Sequence, residues 1–200
     1  KAYKVEVSEE LLNDSKKYLE FVNNIKSENI NKHFGSFTFK SDCEYYVEKN
    51  ILDIKITNPR DFAFNKHNKV DDTAYGGGAG MVLQCEPIFR CLDEIKTADS
   101  LVILVTPDGK TYNQNMAKTL KKSKHLIIIC GHYEGFDERI RTLADAEISI
   151  GDYILTGGEL AACVITDSVV RLLDGAINND SLSSESFEDN LLDYPTYTKP

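Results

Sequence analysis

Hydrophobic positions along this chain change rhythm near residue 50. Over residues 9–26, Leu11, Leu12, Tyr18, Leu19, Phe21, Val22 and Ile25 recur at helical spacing and predict an amphipathic helix, with a shorter one over 43–49. From residue 51 the period shortens. Ile51-Leu-Asp-Ile-Lys-Ile alternates as a half-buried strand does. Leu101-Val-Ile-Leu-Val and Leu126-Ile-Ile-Ile-Cys are continuous apolar runs of the kind found in parallel strands covered on both faces. Helical patterns follow over 86–96, 113–122 and 158–173. Strands alternating with helices predict an α/β fold, with a mainly parallel sheet flanked by helices. The chain thus divides into an N-terminal segment (1–50) of different texture, an α/β domain (51–177) and a polar stretch (178–200) that reads as a linker.

Composition narrows the class. The chain is 42% hydrophobic and 28% charged over 200 residues, enough for a real core. Lys and Arg number 23 against 32 Asp and Glu, a net charge of −9. That excludes a polybasic nucleic-acid binder, though not a local basic patch. No apolar run approaches the ~20 residues a bilayer needs, and no apolar signal segment opens the chain. It begins Lys1-Ala-Tyr, without methionine, and reads as a processed or excised piece. The cysteines at 43, 85, 91, 130 and 163 are odd in number and form no C-x-x-C pair. Neither a disulfide framework nor a zinc ribbon follows, and a cytoplasmic setting is expected.

Candidate chemistry sits where glycine concentrates. Eleven of the 12 glycines follow residue 75, most in Tyr75-Gly-Gly-Gly-Ala-Gly-Met, Gly131-His-Tyr-Glu-Gly and Gly151-Asp-Tyr-Ile-Leu-Thr-Gly-Gly-Glu. Three such loops in one small domain point to a ligand reached by main-chain groups, against tight turns alone. Familiar phosphate motifs fail. Gly109-Lys-Thr lacks the glycine that a P-loop needs at 104, and Gly76-Gly-Gly-Ala-Gly follows no strand. The four histidines have no metal-ligand spacing, and His125 reads as structural. Arg60, Lys66 and His67 precede Asp71 and Asp72, a basic-then-acidic loop that can meet a phosphate and a base edge, or simply be a solvated surface. Glu134, Asp137, Glu138, Arg139 and Arg141 crowd the next loop, where acidic residues also suit a helix start. Arg171 interrupts the apolar run Val169-Val-Arg-Leu-Leu, and either snorkels or faces an anionic site.

Four motifs now stand in order. Asn58-Pro-Arg-Asp-Phe-Ala, Val70-Asp-Asp-Thr-Ala-Tyr-Gly-Gly-Gly-Ala-Gly-Met, Cys130-Gly-His-Tyr-Glu-Gly-Phe-Asp-Glu-Arg and Ser149-Ile-Gly-Asp-Tyr-Ile-Leu-Thr-Gly-Gly-Glu-Leu resemble the bacterial tRNA guanine-N(1)-methyltransferases, over about residues 51–200. The resemblance implies the SPOUT class, with a deep trefoil knot in the C-terminal half and a homodimer with the active site at the subunit interface. It implies transfer of a methyl group from S-adenosylmethionine to N-1 of the guanine 3′ to the tRNA anticodon, position 37. It matches Thr106, Pro107, Gly131, Tyr133, Glu134, Ile150, Gly151, Asp152, Tyr153, Ile154, Leu155, Gly157 and Gly158 to the cofactor pocket. Arg60, His67, Asp71 and Asp72 become candidates for substrate binding.

By the same alignment Glu185 is the catalytic base, with Asp180 as a second candidate, and Arg171 the matching cation. The resemblance leaves Mg2+ as a further candidate cofactor, and no membrane is implied. The sequence departs from the family at His132 (usually Arg), Ala79 (usually Pro), Lys199 (usually Arg) and Glu185 (usually Asp). The family's opening strand has no clear counterpart, with residues 3–7 or 36–40 as candidates, and its helical C-terminal domain would follow residue 200. Two other readings compete: a catalytically inactive S-adenosylmethionine- or RNA-binding module, and a sugar- or nucleotide-phosphate-binding domain.

Overall fold

Leu101-Val-Ile-Leu-Val becomes the centre of the sheet because it is apolar on both faces. In the computed structural model, which describes residues 51–178, 181, 185–187 and 191–199, it lies within a strand over Ser100–Thr111. Strands flank it on both sides in parallel, His125–Cys130 on one edge and Ala146–Ser149 on the other. The earlier strands, Asp71–Asp72 (β1) and Val82–Leu83 (β2), form an antiparallel hairpin around the glycine-rich loop. In chain order the three long-sheet strands are β3, β4 and β5, ordered β4-β3-β5. The helix and strand expectations over 3–7, 9–26, 36–40 and 43–49, together with Asp180 and Cys43, lie outside the described residues.

Helices cover both faces, as the apolar runs require. Val102, Ile103 and Leu104 have 0% exposure. Val102 and Leu104 pack with Ile88 and Leu92 of helix α1 (Cys85–Ile95) and with Ile140. Ile103 and Val105, on the other face, pack with Ala117 and Leu120 of α2 (Gln114–Leu120) and with Ile165 and Val169 of α3 (Glu159–Val170). Each of the valine, leucine and isoleucine side chains contributes about 1.5–3 kcal/mol through burial. The observed helices lie within a few residues of the predicted ones. Asn113 caps α2, its Oδ1 accepting from Met116 N at 3.1 Å. The Tyr112 hydroxyl and Ser168 Oγ, 2.6 Å apart, tie the end of β3 to α3. His125 is structural, its Nδ1 2.8 Å from Ser100 Oγ.

Two expectations change. Residues 51–56 are not a strand. Ile56 is 72% exposed. Alternation supplies two faces but no hydrogen-bonded neighbour, and the stretch instead leads to Asn58, which caps a 3-10 turn over Pro59–Phe62. Conversely, β5 was not legible. Ala146-Glu-Ile-Ser is too short to show a period, and pairing with β3 alone makes it a strand.

β3 is interrupted where the cavity begins. Ile148 is the partner of both Val105 and Lys110, so Thr106–Gly109 bulge from the ladder. Pro107, which has no N–H to donate, sits in that bulge. Gly109 is required there by close approach: a Cβ would lie 2.6 Å from Ile148 N and 2.7 Å from its carbonyl carbon.

Cys91 is buried, and Cys85, Cys130 and Cys163 are half-buried and free. Burial, with the charge of Glu159 beside it, pushes the Cys130 thiol up to about 12. These residues behave as small hydrophobes.

No helix among the described residues is long and apolar enough to cross a membrane.

Candidate functional site

The strands end together, and their carboxyl-end loops enclose a cavity of about 600 Å3. Its walls are 105–108 from the β3 bulge, 131–136 after β4, and 149–151 and 153–158 after β5, with Glu138, Arg141 and Ala161. Ligands of α/β sheets collect at such carboxyl ends, and the volume suits a cofactor-sized molecule.

The walls are held by main-chain bonds. Gly158 N donates to Gly131 O at 2.9 Å, joining the loops after β4 and β5. Glu134 N donates to Met81 O at 3.0 Å, and Leu83 N to Gly135 O at 3.0 Å, so the β1–β2 hairpin braces the outer wall. Tyr133, on that wall, has φ +60°, an uncommon left-handed conformation for a non-glycine residue.

One arginine organises the acidic rim. Arg141 donates to Asp108 at 2.6 Å, to Glu138 at 3.0 Å, and to Glu147 of β5. Its side chain is 22% exposed. It therefore pins the β3 bulge to β5 and to the 3-10 turn Glu138–Leu143. A hydrogen bond from the Thr106 hydroxyl, with Arg141 beyond it, holds the Asp108 carboxyl below the usual carboxylate range. In the adjoining turn the Arg139 guanidinium brings the Asp137 carboxyl to about 2. Replacing Arg141 with methionine is expected to cost about 1–3 kcal/mol in urea unfolding, because three carboxylates lose their shared donor. Lysine is expected to restore less than half, since it lacks the planar fork.

The charge of the lining defines what fits. Asp108, Glu134 and Glu138 face Arg141 as the sole lysine or arginine among the lining residues, and Arg141 is already engaged. A polyphosphate would find no free cation here. A ligand with a positive centre and a flat polar ring finds carboxylates and main-chain groups. S-Adenosylmethionine, a sulfonium with an adenine ring, fits this donor set.

Of the cofactor residues expected from sequence, Thr106, Pro107, Gly131, Tyr133, Glu134, Ile150, Gly151, Tyr153, Ile154, Leu155, Gly157 and Gly158 line the cavity. Asp152 is exposed and outside the lining. Arg60, His67, Asp71 and Asp72 also lie outside it. Arg60 donates to Asn68 O at 2.8 Å and closes its own loop. The His67 N–H bonds Asn65 Oδ1, and Asp72 caps Thr73 N at 2.8 Å within the hairpin. Arg171 and Glu185 do meet, 2.6 Å apart, although neither lines the cavity of its own chain. Sequence reasoning did not assign Asp108, His132, Phe136, Arg141 or Ser149 to the cavity. The crowding of charge around Arg141 was the available signal.

The fold and site together define a mixed α/β domain whose parallel strands end in a glycine-walled, acid-rimmed cofactor cavity. The family model for the tRNA (guanine-1)-methyltransferase TrmD matches residues 31–200, and the chain belongs to this family of methyltransferases. The match begins within the N-terminal segment set apart above on composition. A tRNA (guanine-N(1)-)-methyltransferase of Malacoplasma penetrans is 58% identical over 167 residues, covering 84% of this chain and 74% of that protein. Its counterpart in Clostridioides difficile is 50% identical over 173 residues, covering 84% and 75%. That of Mycoplasma capricolum is 49% identical over 170 residues, covering 84% and 71%.

Proposed function

We propose that this chain transfers a methyl group from S-adenosylmethionine to N-1 of the guanine at tRNA position 37, beside the anticodon. One observation carries the reading: two of the motif loops that resemble the family, those after β4 and β5, wall the cavity, within a chain that matches the family over 31–200. When bound, the cofactor supplies an electrophilic methyl on a sulfonium. The protein's tasks are orientation, proton removal and charge stabilisation. Guanine N-1 carries a proton, so a base must accept it as the nitrogen–carbon bond forms and the carbon–sulfur bond breaks. Glu185 is the base in this reading. Arg171 steadies charge developing at O6, and its 2.6 Å contact with Glu185 aims that carboxylate.

Because the pair lies outside its own chain's cavity, the site is completed in a homodimer, with the Arg171–Glu185 pair of one subunit over the cavity of the other. Exposed apolar side chains beside the cavity, Tyr153, Ile154, Leu160 and Val164, support such an interface. The SPOUT arrangement and its trefoil knot enter this reading through the family resemblance, beside the parallel order β4-β3-β5. Residues 51–177 are then the catalytic domain and 178–200 the linker that carries the base, working in the cytoplasm on tRNA. Among the described residues no group of three or more potential metal ligands is assembled. The test is incubation with methyl-labelled S-adenosylmethionine and tRNA transcripts. Label at N-1 of guanine 37, absent from an adenine-37 transcript, is expected. Cofactor binding without any transfer would favour the inactive binding module instead.

A further inference from the structure

Two buried polar atoms at the junction of the glycine loops have no partner: Nδ1 of His132 and Oε2 of Glu159. His132 stands on the cavity wall, its ring edge-on to Tyr133 with centroids 4.7 Å apart. Glu159 opens α3 behind that wall. Gly157, bridged to His132 through the main chain, lies between them. A Cβ at Gly157 would run into Glu159 Oε2 and sit 2.9 Å from His132 Nδ1. Both atoms therefore face one small space that glycine alone leaves open. Oε2 is an acceptor, and Nδ1 is a donor in one of the two imidazole tautomers. Left alone, each such buried atom is destabilising; joined, they satisfy one another. The other titratable groups beside Glu159 are the Cys130 and Cys163 thiols, and burial keeps both protonated.

We infer that Glu159 and His132 are a positioning pair: the two side chains, which flank Gly157 without touching in this structure, close a hydrogen bond from His132 Nδ1 to Glu159 Oε2 by a small shift across that space. They so hold the loop after β4 against the start of α3 and set the cavity wall. A carboxylate behind an imidazole selects one tautomer and one ring orientation. The pair rests on the proposed function only in that S-adenosylmethionine is the probe for its effect on binding. Its existence can be read without ligand.

Nitrogen-15 spectra of the histidine rings in the ligand-free chain test the bond itself. The Nδ1–H tautomer is expected for His132, with a shift toward Nε2–H in Glu159→Ala. An Nε2–H tautomer in the parent, or no change in Glu159→Ala, would overturn the pair. Two isosteres keep the test open should Glu159→Ala fail to fold. Asparagine places an amide nitrogen near the position of Nδ1, whereas glutamine places it near Nε2. By calorimetry His132→Asn is expected to bind S-adenosylmethionine about tenfold more tightly than His132→Gln. Equal affinities would sink the proposal. A parent chain that does not bind S-adenosylmethionine at all would instead count against the cofactor assignment, and the tautomer would still decide the pair.

Discussion

Replacing Arg171 with alanine is expected to lower the rate of methyl transfer to tRNA by about 10²–10³-fold while S-adenosylmethionine still binds. The separation follows from where the residue stands. Arg171 caps the C-terminal end of α3, outside the lining of its own chain's cavity, and its guanidinium meets Glu185 at 2.6 Å. With side chains 38% and 28% exposed, the pair contributes little to stability, about 0–1 kcal/mol. Its loss should therefore barely move the unfolding midpoint. Glu185→Gln, which keeps shape but cannot take a proton, is expected to lower turnover by about 10²–10⁴-fold. Single-turnover kinetics with saturating cofactor checks both. Loss of cofactor binding together with turnover in Arg171→Ala would reassign Arg171 to folding. Unchanged turnover in Glu185→Gln would move the base elsewhere in the linker.

Gly109→Ala is expected to destabilise the fold by about 3–5 kcal/mol, at the exceptional end for a single methyl group. The added Cβ would meet main-chain atoms of Glu147 and Ile148 at 2.6–2.8 Å, and backbone in a paired strand cannot swing aside. β5 must move, and Ser149–Gly151, at its end and in the wall of the cofactor cavity, move with it. Urea unfolding and cofactor calorimetry should therefore fall together. A variant that loses binding at full stability, or neither property, would show that the bulge yields without moving β5.

The residues show which features could be read early. Val102 and Leu104 face α1 while Ile103 and Val105 face α2 and α3, and an unbroken apolar run announces a strand of that kind before any coordinates. Asn113 is a helix cap by chemistry, and the predicted helix begins there. The glycine loops after β4 and β5 also pointed to a site from local sequence, because close main-chain approach needs glycine wherever it occurs. β5 gave no such signal, since four residues carry too little periodicity. Residues 51–56 gave a misleading one, since alternation describes faces and not pairing.

The site divides along the same line. The loops after β4 and β5 were legible residue by residue, because their order along the chain carries the resemblance. The Arg141 clamp was not: Asp108 is 33 residues before it, and nothing local pairs them. Nor was the junction of His132 with Glu159, which exists only because Gly158 N bonds Gly131 O and brings two loops together. By itself the sequence determined the α/β class, the helices near 86–96, 113–122 and 158–173, the acidic balance, the glycine loops and the family to which they belong. Only the tertiary structure decided which strands neighbour β3, which charges meet, and which polar atoms are shut away from water. Periodicity and turn chemistry act over a few residues, whereas burial and ion pairing depend on segments that meet after the chain has folded.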